Sequence, residues 1–430
     1  MTADRAGGPD LAVVIPLLYR AAFQRFTFSA EVWSRDVPPG QGGDPVSEAY
    51  DWTMLSGTLV AGPDGRYRAD LVDYEGEPEL DTGEWDELPF AELFRPDWLL
   101  SATDLEITGE SDYAGRPAYT LTGRPRLAAS DRDRELTGEV TAHVDAELGI
   151  LLQYERTSAF RGTKSAGFTS LAVSPAAVSP AAGPSAAGPP AGTPPSLSDE
   201  QVNLLYRTSL GPQRFSAELR EWADPGAANR LSAVELMPGP VAGVVGRLLE
   251  HADDQPDIDL AGRLRVAMPG SYRIDASGDP GRRPASASCD GHQFWQVYRD
   301  RVVVRPAAAP PRGISSIIDP AWLLSGYRLS VGGSAEYDGR PSLRLAAEPI
   351  SRLDRWMTKG PLSGRLMAAD RIEADIDIEL GIIVRQAWYL HGSRVFSTEL
   401  AGVTADVDPA AFTITPAPEL GIRWMQRYQP

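Results

Sequence analysis

The chain has 430 residues, 42% apolar, 8% aromatic and 23% charged, the make-up of a protein that folds and buries a core rather than a disordered one. Its 41 basic and 59 acidic residues give a net charge of −18, which denies nucleic acid any general electrostatic attraction. One cysteine, Cys289, excludes an intramolecular disulfide and a cysteine-based metal cluster, and no run of about 18 apolar residues is present to span a membrane as a helix.

In chain order, Leu11-Ala-Val-Val-Ile-Pro-Leu-Leu18 is apolar, but Asp4, Arg5 and Asp10 precede it and no small-x-small cleavage site follows. Without the flanks of a secretory leader, it reads as a helix, and the expectation is a cytoplasmic chain whose mature form begins at Met1. Alternating runs then predict strands from Phe26 to Trp33, Trp52 to Ala61 and Arg66 to Tyr74, with Gly62-Pro-Asp-Gly65 as a hairpin turn. Tyr74 to Trp85 reads as an acidic, turn-rich stretch. Arg95-Pro-Asp-Trp-Leu-Leu-Ser101 predicts a helical turn with proline at its start. Further strands are expected at 106–111, 117–123, 138–145, 150–158 and 165–173. From Ser174 to Ser198 the chain is almost wholly Ala, Pro, Gly and Ser, with nothing to bury, and predicts an extended linker. Beyond it, Ser198 is placed to cap a helix that begins Asp199-Glu-Gln.

The halves on either side of this linker repeat the same words in the same order. Leu17-Leu-Tyr-Arg20 recurs as Leu204-Leu-Tyr-Arg207 and Phe28-Ser-Ala-Glu31 as Phe215-Ser-Ala-Glu218, Trp98-Leu-Leu-Ser101 returns as Trp322-Leu-Leu-Ser325, and Tyr113-Ala-Gly-Arg-Pro117 as Tyr337-Asp-Gly-Arg-Pro341. Val144-Asp-Ala-Glu-Leu-Gly-Ile150 matches Ile376-Asp-Ile-Glu-Leu-Gly-Ile382. A spacing that changes only by insertion marks a tandem duplication: a first domain at 1–173, a linker at 174–198 and a second domain at 199–430. Strands with frequent turns and few helices predict an α+β, mainly β architecture.

The second half resembles the lipoprotein-carrier fold of the Lol system and its relatives, among them the sigma-factor regulators of the RseB and MucB type and mycobacterial lipoprotein lipid carriers. The words that carry the resemblance are Tyr272-Arg-Ile-Asp275, Cys289-Asp-Gly-His-Gln-Phe-Trp-Gln-Val-Tyr298, Ile376-Asp-Ile-Glu-Leu-Gly-Ile382 and Asp408-Pro-Ala-Ala-Phe-Thr-Ile-Thr-Pro416. It implies two strongly curved antiparallel sheets, incomplete barrels covered by short helices, each able to enclose an apolar cavity, with a short closing strand at Phe412. The first half lacks the Asp-Gly hairpin and the closing strand, so its cavity is expected to be reduced.

Candidate cavity residues are Phe26, Phe28 and Val32 on one face of the first strand, Phe215 and Leu219 on its partner, Trp98 and Trp322 on the covering helices, and Trp295 and Tyr298, which lie three apart and so face opposite sides. No catalytic set emerges. His143, His251, His292 and His391 fall in no zinc-binding spacing, and neither a GxSxG elbow, a Walker loop nor a GxGxxG turn occurs. Gly239-Pro-Val-Ala-Gly-Val-Val-Gly246 lacks the lysine of a phosphate loop and reads as the start of a helix to His251. The acids of 253–259 read as a solvated loop, and Asp375 and Asp377 as exposed carboxylates sharing a strand face. No metal or cofactor is expected. The leading expectation is a non-enzymatic binding protein that holds a lipid or lipid-like metabolite. The alternatives are a regulatory or scaffold protein gripping a protein partner with both domains, and a cofactor-independent enzyme using a group such as His292.

Overall fold

The computed structural model describes residues 10–37, 53–62, 66–73, 75–84, 88–126, 138–158, 162–174, 197–208, 213–224, 258–268, 270–277, 284–306, 312–350, 357–359, 366–415 and 420–424. The body of the linker, the tip of the 62–65 turn, the expected helix from Gly239 to His251 and most of the acidic loop at 253–259 lie outside the described residues. The described chain is mainly β, in two large sheets, neither closed into a barrel, with few short helices. It forms two compact units. Met1–Arg126, Arg132–Tyr206 and Ala321–Arg328 make the first, and Leu127–Asp131, Arg207–Pro320 and Leu329–Pro430 the second.

The first unit contains α1 (Leu11–Ala21), β1 (Thr27–Val37), β2 (Thr53–Ala61), β3 (Arg66–Asp73), β4 (Pro78–Glu84), α2 (Ala91–Phe94), α3 (Trp98–Ala102), β5 (Thr103–Tyr113), β6 (Arg116–Pro125), β7 (Glu139–Asp145), β8 (Leu151–Ser158), β9 (Gly162–Ser174) and most of α4 (Asp199–Thr208). Its sheet runs β4-β3-β2-β1-β9-β8-β7-β6-β5. Helix α1 starts where Asp10 accepts the Ala12 N–H at 2.9 Å. Pro16 cannot donate to the carbonyl of Ala12, and Asn203 of α4 donates to that oxygen instead, at 2.7 Å. Helix α4 begins with a capping box: the Ser198 hydroxyl accepts from the Gln201 N–H at 3.3 Å and the Gln201 side chain accepts from the Ser198 N–H at 2.9 Å. The stretch expected as turns from Tyr74 to Trp85 contains a strand, β4, paired with β3 alone. At a sheet edge no inward face is demanded, so Glu79 and Leu80 both stand in solvent and no alternation marks the strand.

The second unit contains β10 (Arg214–Ala223), β11 (Ile258–Ala267), β12 (Ser271–Ala276), β13 (Ser286–Asp290), β14 (Gln293–Val297), β15 (Arg301–Pro306), α5 (Arg312–Ile318), β16 (Tyr327–Tyr337), β17 (Arg340–Pro349), the short ribbon of β18 (Met357–Lys359) and β19 (Leu366–Ala368), then β20 (Arg371–Asp377), β21 (Ile382–Leu390), β22 (Ser393–Thr404) and β23 (Gly421–Trp424). The order β16-β17-β20-β21-β22-β10-β11-β12 repeats β5-β6-β7-β8-β9-β1-β2-β3 strand for strand, and β13, β14, β15 and β23 extend the sheet. The closing strand expected at Phe412 is a 3-10 turn, Pro409–Phe412, because Asp408 caps it by accepting from the Ala410 N–H at 2.9 Å and Pro409 has no N–H to give a ladder. Strand β23 closes the sheet instead, parallel to β15.

The repeated words explain why both units fold alike. Ala114 and Gly115 have φ of 51° and 75°, and Asp338 and Gly339 the same 51° and 75°, the left-handed pair that a two-residue hairpin requires. Each turn delivers the arginine that follows it to the aspartate at the end of the neighbouring strand. Arg116 Nε donates to Asp145, and Arg340 Nε to Asp377, while their outer nitrogens reach Glu147 at 3.2 Å and Glu379 at 3.0 Å. Both aspartates are 0% exposed in their side chains. Asp145 Oδ1 also accepts the N–H groups of Glu147 and Leu148, each at 2.9 Å, and Asp377 Oδ1 those of Glu379 at 2.9 Å and Leu380 at 2.8 Å. Gly149, at φ of 74°, ends the first of these turns, where an added Cβ would lie 2.5 Å from the Leu17 carbonyl oxygen.

Arg340→Ala leaves the Asp377 charge buried without its cation and is expected to cost about 3 kcal/mol. Arg371→Ala breaks a pair with Glu373 whose side chains are 52% and 38% exposed, and is expected to cost under about 1 kcal/mol. Urea unfolding of the two variants measures the difference.

Candidate ligand-binding face

Alternation along the strands gives each sheet an inner apolar face. In the second unit this face is built from Phe215, Ala217 and Leu219 of β10, Leu264 and Val266 of β11, Tyr272 and Ile274 of β12, Cys289 of β13, Phe294 of β14, Ile382 and Val384 of β21 and Leu400 of β22, with Ile314, Ile317 and Ile318 of α5 packed on it. Cys289 is buried there as a small hydrophobe, directly opposite Phe294. In the first unit the same face holds Phe28, Ala30 and Val32, all buried, and Phe26 lies buried one residue before β1. Here aromatic rings fill the space under α2: Phe94 stacks on Phe28 at 4.5 Å and meets Phe168 edge-on at 5.4 Å.

The expected site residues divide accordingly. Phe215 and Leu219 come together on the inner face of the second unit, and Phe28 and Val32 on that of the first. Trp98 is half-buried beside Tyr154, at 5.5 Å, with the Arg156 guanidinium 5.7 Å from its ring. Trp322 clusters with the first unit, its ring 5.7 Å from that of Tyr327. Trp295 points away from the inner face and meets Trp424 at 6.1 Å. Tyr298 lies just past the end of β14 under the guanidinium of Arg301, 4.4 Å from its ring. His292 sits on the exposed turn after β13, its N–H held by Asp290 at 2.9 Å, away from the inner face.

The opposite face carries clusters of charged groups, one of them around Asp375. Asp375 and Asp377, expected to be exposed, are buried. Asp375 receives Arg344 Nε and Arg385 Nε, each at 2.8 Å, so two guanidinium planes cover it from neighbouring strands. At the corresponding place the first unit has His143. Its ring stacks on Tyr113 at 5.0 Å, and its Nδ1 lies 3.2 Å from the Ser111 hydroxyl and 3.3 Å from that of Thr120. Burial lowers the His143 pKa below the usual imidazole value. On β12, burial pushes the Asp275 pKa up, but hydrogen bonds from Ser286 and Arg273 and the nearby charge outweigh it, and the net shift is downward. Arg273 also donates to the Ala411 carbonyl at 3.0 Å, and Ser288 to that of Phe412 at 2.6 Å, pinning the 3-10 turn to the sheet. Among the described residues no group of three His, Cys, Asp or Glu is placed to hold a metal ion, and no helix is long and apolar enough to cross a membrane.

No protein-family model and no curated protein matches the sequence. Among solved structures, the chain is similar to MucB, with 20% identity over 41% of this chain and 62% of that one and a TM-score of 0.27. It is similar to the lipoprotein LppX of Mycobacterium tuberculosis, with 13% identity over 37% and 94% of the two chains and a TM-score of 0.25. A LolA-superfamily protein from Nitrosomonas europaea gives 9% identity over 49% and 96%, with a TM-score of 0.23. These are the groups named by the resemblance in the sequence words, and the chain spans 62% of the MucB structure's length.

A carboxylate whose folded pKa is lowered adds stability above its unfolded pKa of about 4, and that stability is lost as pH falls through the lower folded value. Urea midpoints measured at pH 6 and pH 3 are therefore expected to differ less in Asp275→Asn than in the wild type.

Proposed function

We propose that this is a non-enzymatic binding protein whose second unit holds an apolar ligand, a lipid or lipid-like metabolite, between its inner sheet face and α5. The observation that carries the reading is a difference between the two copies. Where the first unit has Phe94 beneath its sheet, the second has Ile318, and where the first has Phe168 the second has Leu400. Phe168 stands opposite Val32 and Leu400 opposite Leu219, so these are matching places on matching strands. Phe28 keeps its counterpart in Phe215, but the two rings that close over it are thus replaced by smaller aliphatic groups, and the second unit is left the more adaptable apolar interior. Burying roughly 200 Å² of ligand apolar surface at about 25 cal/mol per Å² supplies about 5 kcal/mol before the costs of association.

A second reading, a regulatory or scaffold protein that grips a protein partner, is favoured by Trp424 and Ile422, which stand exposed on β23 at the edge of the second sheet. It requires a stoichiometric partner that is lost when residues 421–424 are deleted.

The carrier reading is tested by giving the second unit the first unit's packing. Ile318→Phe combined with Leu400→Phe is expected to reduce uptake of a neutral apolar fluorophore by about tenfold or more while the thermal transition is kept, since the first unit folds with phenylalanine at both places. Unchanged uptake contradicts the assignment of the site to the second unit.

A further inference from the structure

One row across the inner face of the second sheet is polar. Gln386 of β21 stands opposite Thr398 of β22, and Thr398 opposite Glu221 of β10. Residues directly opposite share a face, and Gln386 follows Val384, and Thr398 precedes Leu400, on the apolar inner side. All three side chains are buried, Glu221 and Gln386 at 0% exposure. The first unit carries Tyr154, Ala166 and Ser34 at the corresponding places, with Tyr154 opposite Ala166 and Ala166 opposite Ser34. There the Tyr154 hydroxyl is satisfied by Glu92 at 3.2 Å, and Lys164 reaches the same carboxylate at 2.7 Å. In the second unit Ser316 replaces Glu92 and its hydroxyl donates to the Gly313 carbonyl at 2.9 Å.

Gln386 is the informative member. Its Oε1 accepts from Trp388 Nε1 at 3.0 Å, which fixes the amide orientation, because an indole N–H can only donate. The Nε2 group is then turned to the interior, buried and without a hydrogen-bond partner among the described residues. A buried amide donor left unpaired is costly and rare in native proteins. It has a use if a ligand supplies the acceptor.

We propose that Gln386, Thr398 and Glu221 form a polar subsite within the second unit that receives the hydroxyl of a hydroxyl-bearing lipid or long-chain alcohol, an assignment that rests on the carrier reading above. A hydroxyl accepts from Gln386 Nε2 and at the same time donates to Thr398 or to the Glu221 carboxyl group. An ether or ester accepts but does not donate. A free fatty acid brings a second carboxyl group beside Glu221. The row therefore selects the alcohol, and the apolar face beside it takes the chain.

The test uses the full chain loaded with the neutral fluorophore N-phenyl-1-naphthylamine, displaced by 1-dodecanol or by 1-methoxydodecane. The wild type is expected to release the dye at an alcohol concentration about tenfold lower than for the methyl ether. Gln386→Leu, which removes the unpaired donor at similar volume, is expected to keep dye uptake and lose that preference. Gln386→Met serves as the second variant should the leucine fail to fold. No preference in the wild type, or the same preference in both variants, overturns the subsite and leaves the carrier reading standing. Failure of the wild type to take up the dye overturns the carrier reading, and the subsite with it.

Discussion

The fold depends on a buried carboxylate that cannot stand alone. Asp145 and Asp377 each lie at the mouth of a tight turn with no exposed side-chain surface, and each is stabilised by one guanidinium and two backbone N–H groups. Charge burial on this scale is tolerated only when every partner is in place. The requirement ties three things together: the left-handed hairpin that presents the arginine, the Glu-Leu-Gly turn that presents the amides, and the register of the strands between them. A one-residue slip of β6 against β7, or of β17 against β20, would take the arginine off its aspartate and turn the inner face outward. The words Gly-Arg-Pro and Asp-x-Glu-Leu-Gly persist in both copies for this physical reason.

Away from that constraint the copies have diverged on both faces. On the outer face, a neutral cluster around His143 in the first unit corresponds to a charged one around Asp375 in the second. On the inner face, Phe94 and Phe168 of the first unit correspond to Ile318 and Leu400, and Tyr154 to Gln386, while Phe28 keeps its counterpart in Phe215. The first unit's interior is settled by its own side chains. The second combines a softer apolar lining with a buried donor that has no acceptor among the described residues.

Much of this was legible in the sequence, for identifiable reasons. The duplication and the main strands were readable because inward faces must alternate and because the aspartate staples preserve short words. Phe215 and Leu219 fell on the inner face by parity alone. Strand β4 is not legible in the sequence because an edge strand needs no alternation, nor is the Pro409–Phe412 turn, because an aspartate cap and a proline act locally. The burial of Asp375 is not legible in the sequence because its covering arginines come from β17 and β21 and no local pattern announces them. Trp295 is the larger ring, but Phe294, one residue earlier and opposite Cys289, is the residue that faces inward, a parity that strand register alone reveals. Glu221 and Gln386 are polar letters at inward positions, and such letters read as solvent-facing until the strand register is known.

The central claim, that the second unit carries an apolar ligand, is tested most directly by purifying the protein gently from its native host, extracting it under denaturing conditions and analysing the extract by mass spectrometry beside a mock purification. The account predicts a lipid or lipid-like metabolite at near-stoichiometric amount, absent from the mock. Protein that emerges empty, and stays empty after incubation with the host's own lipid extract, would contradict it.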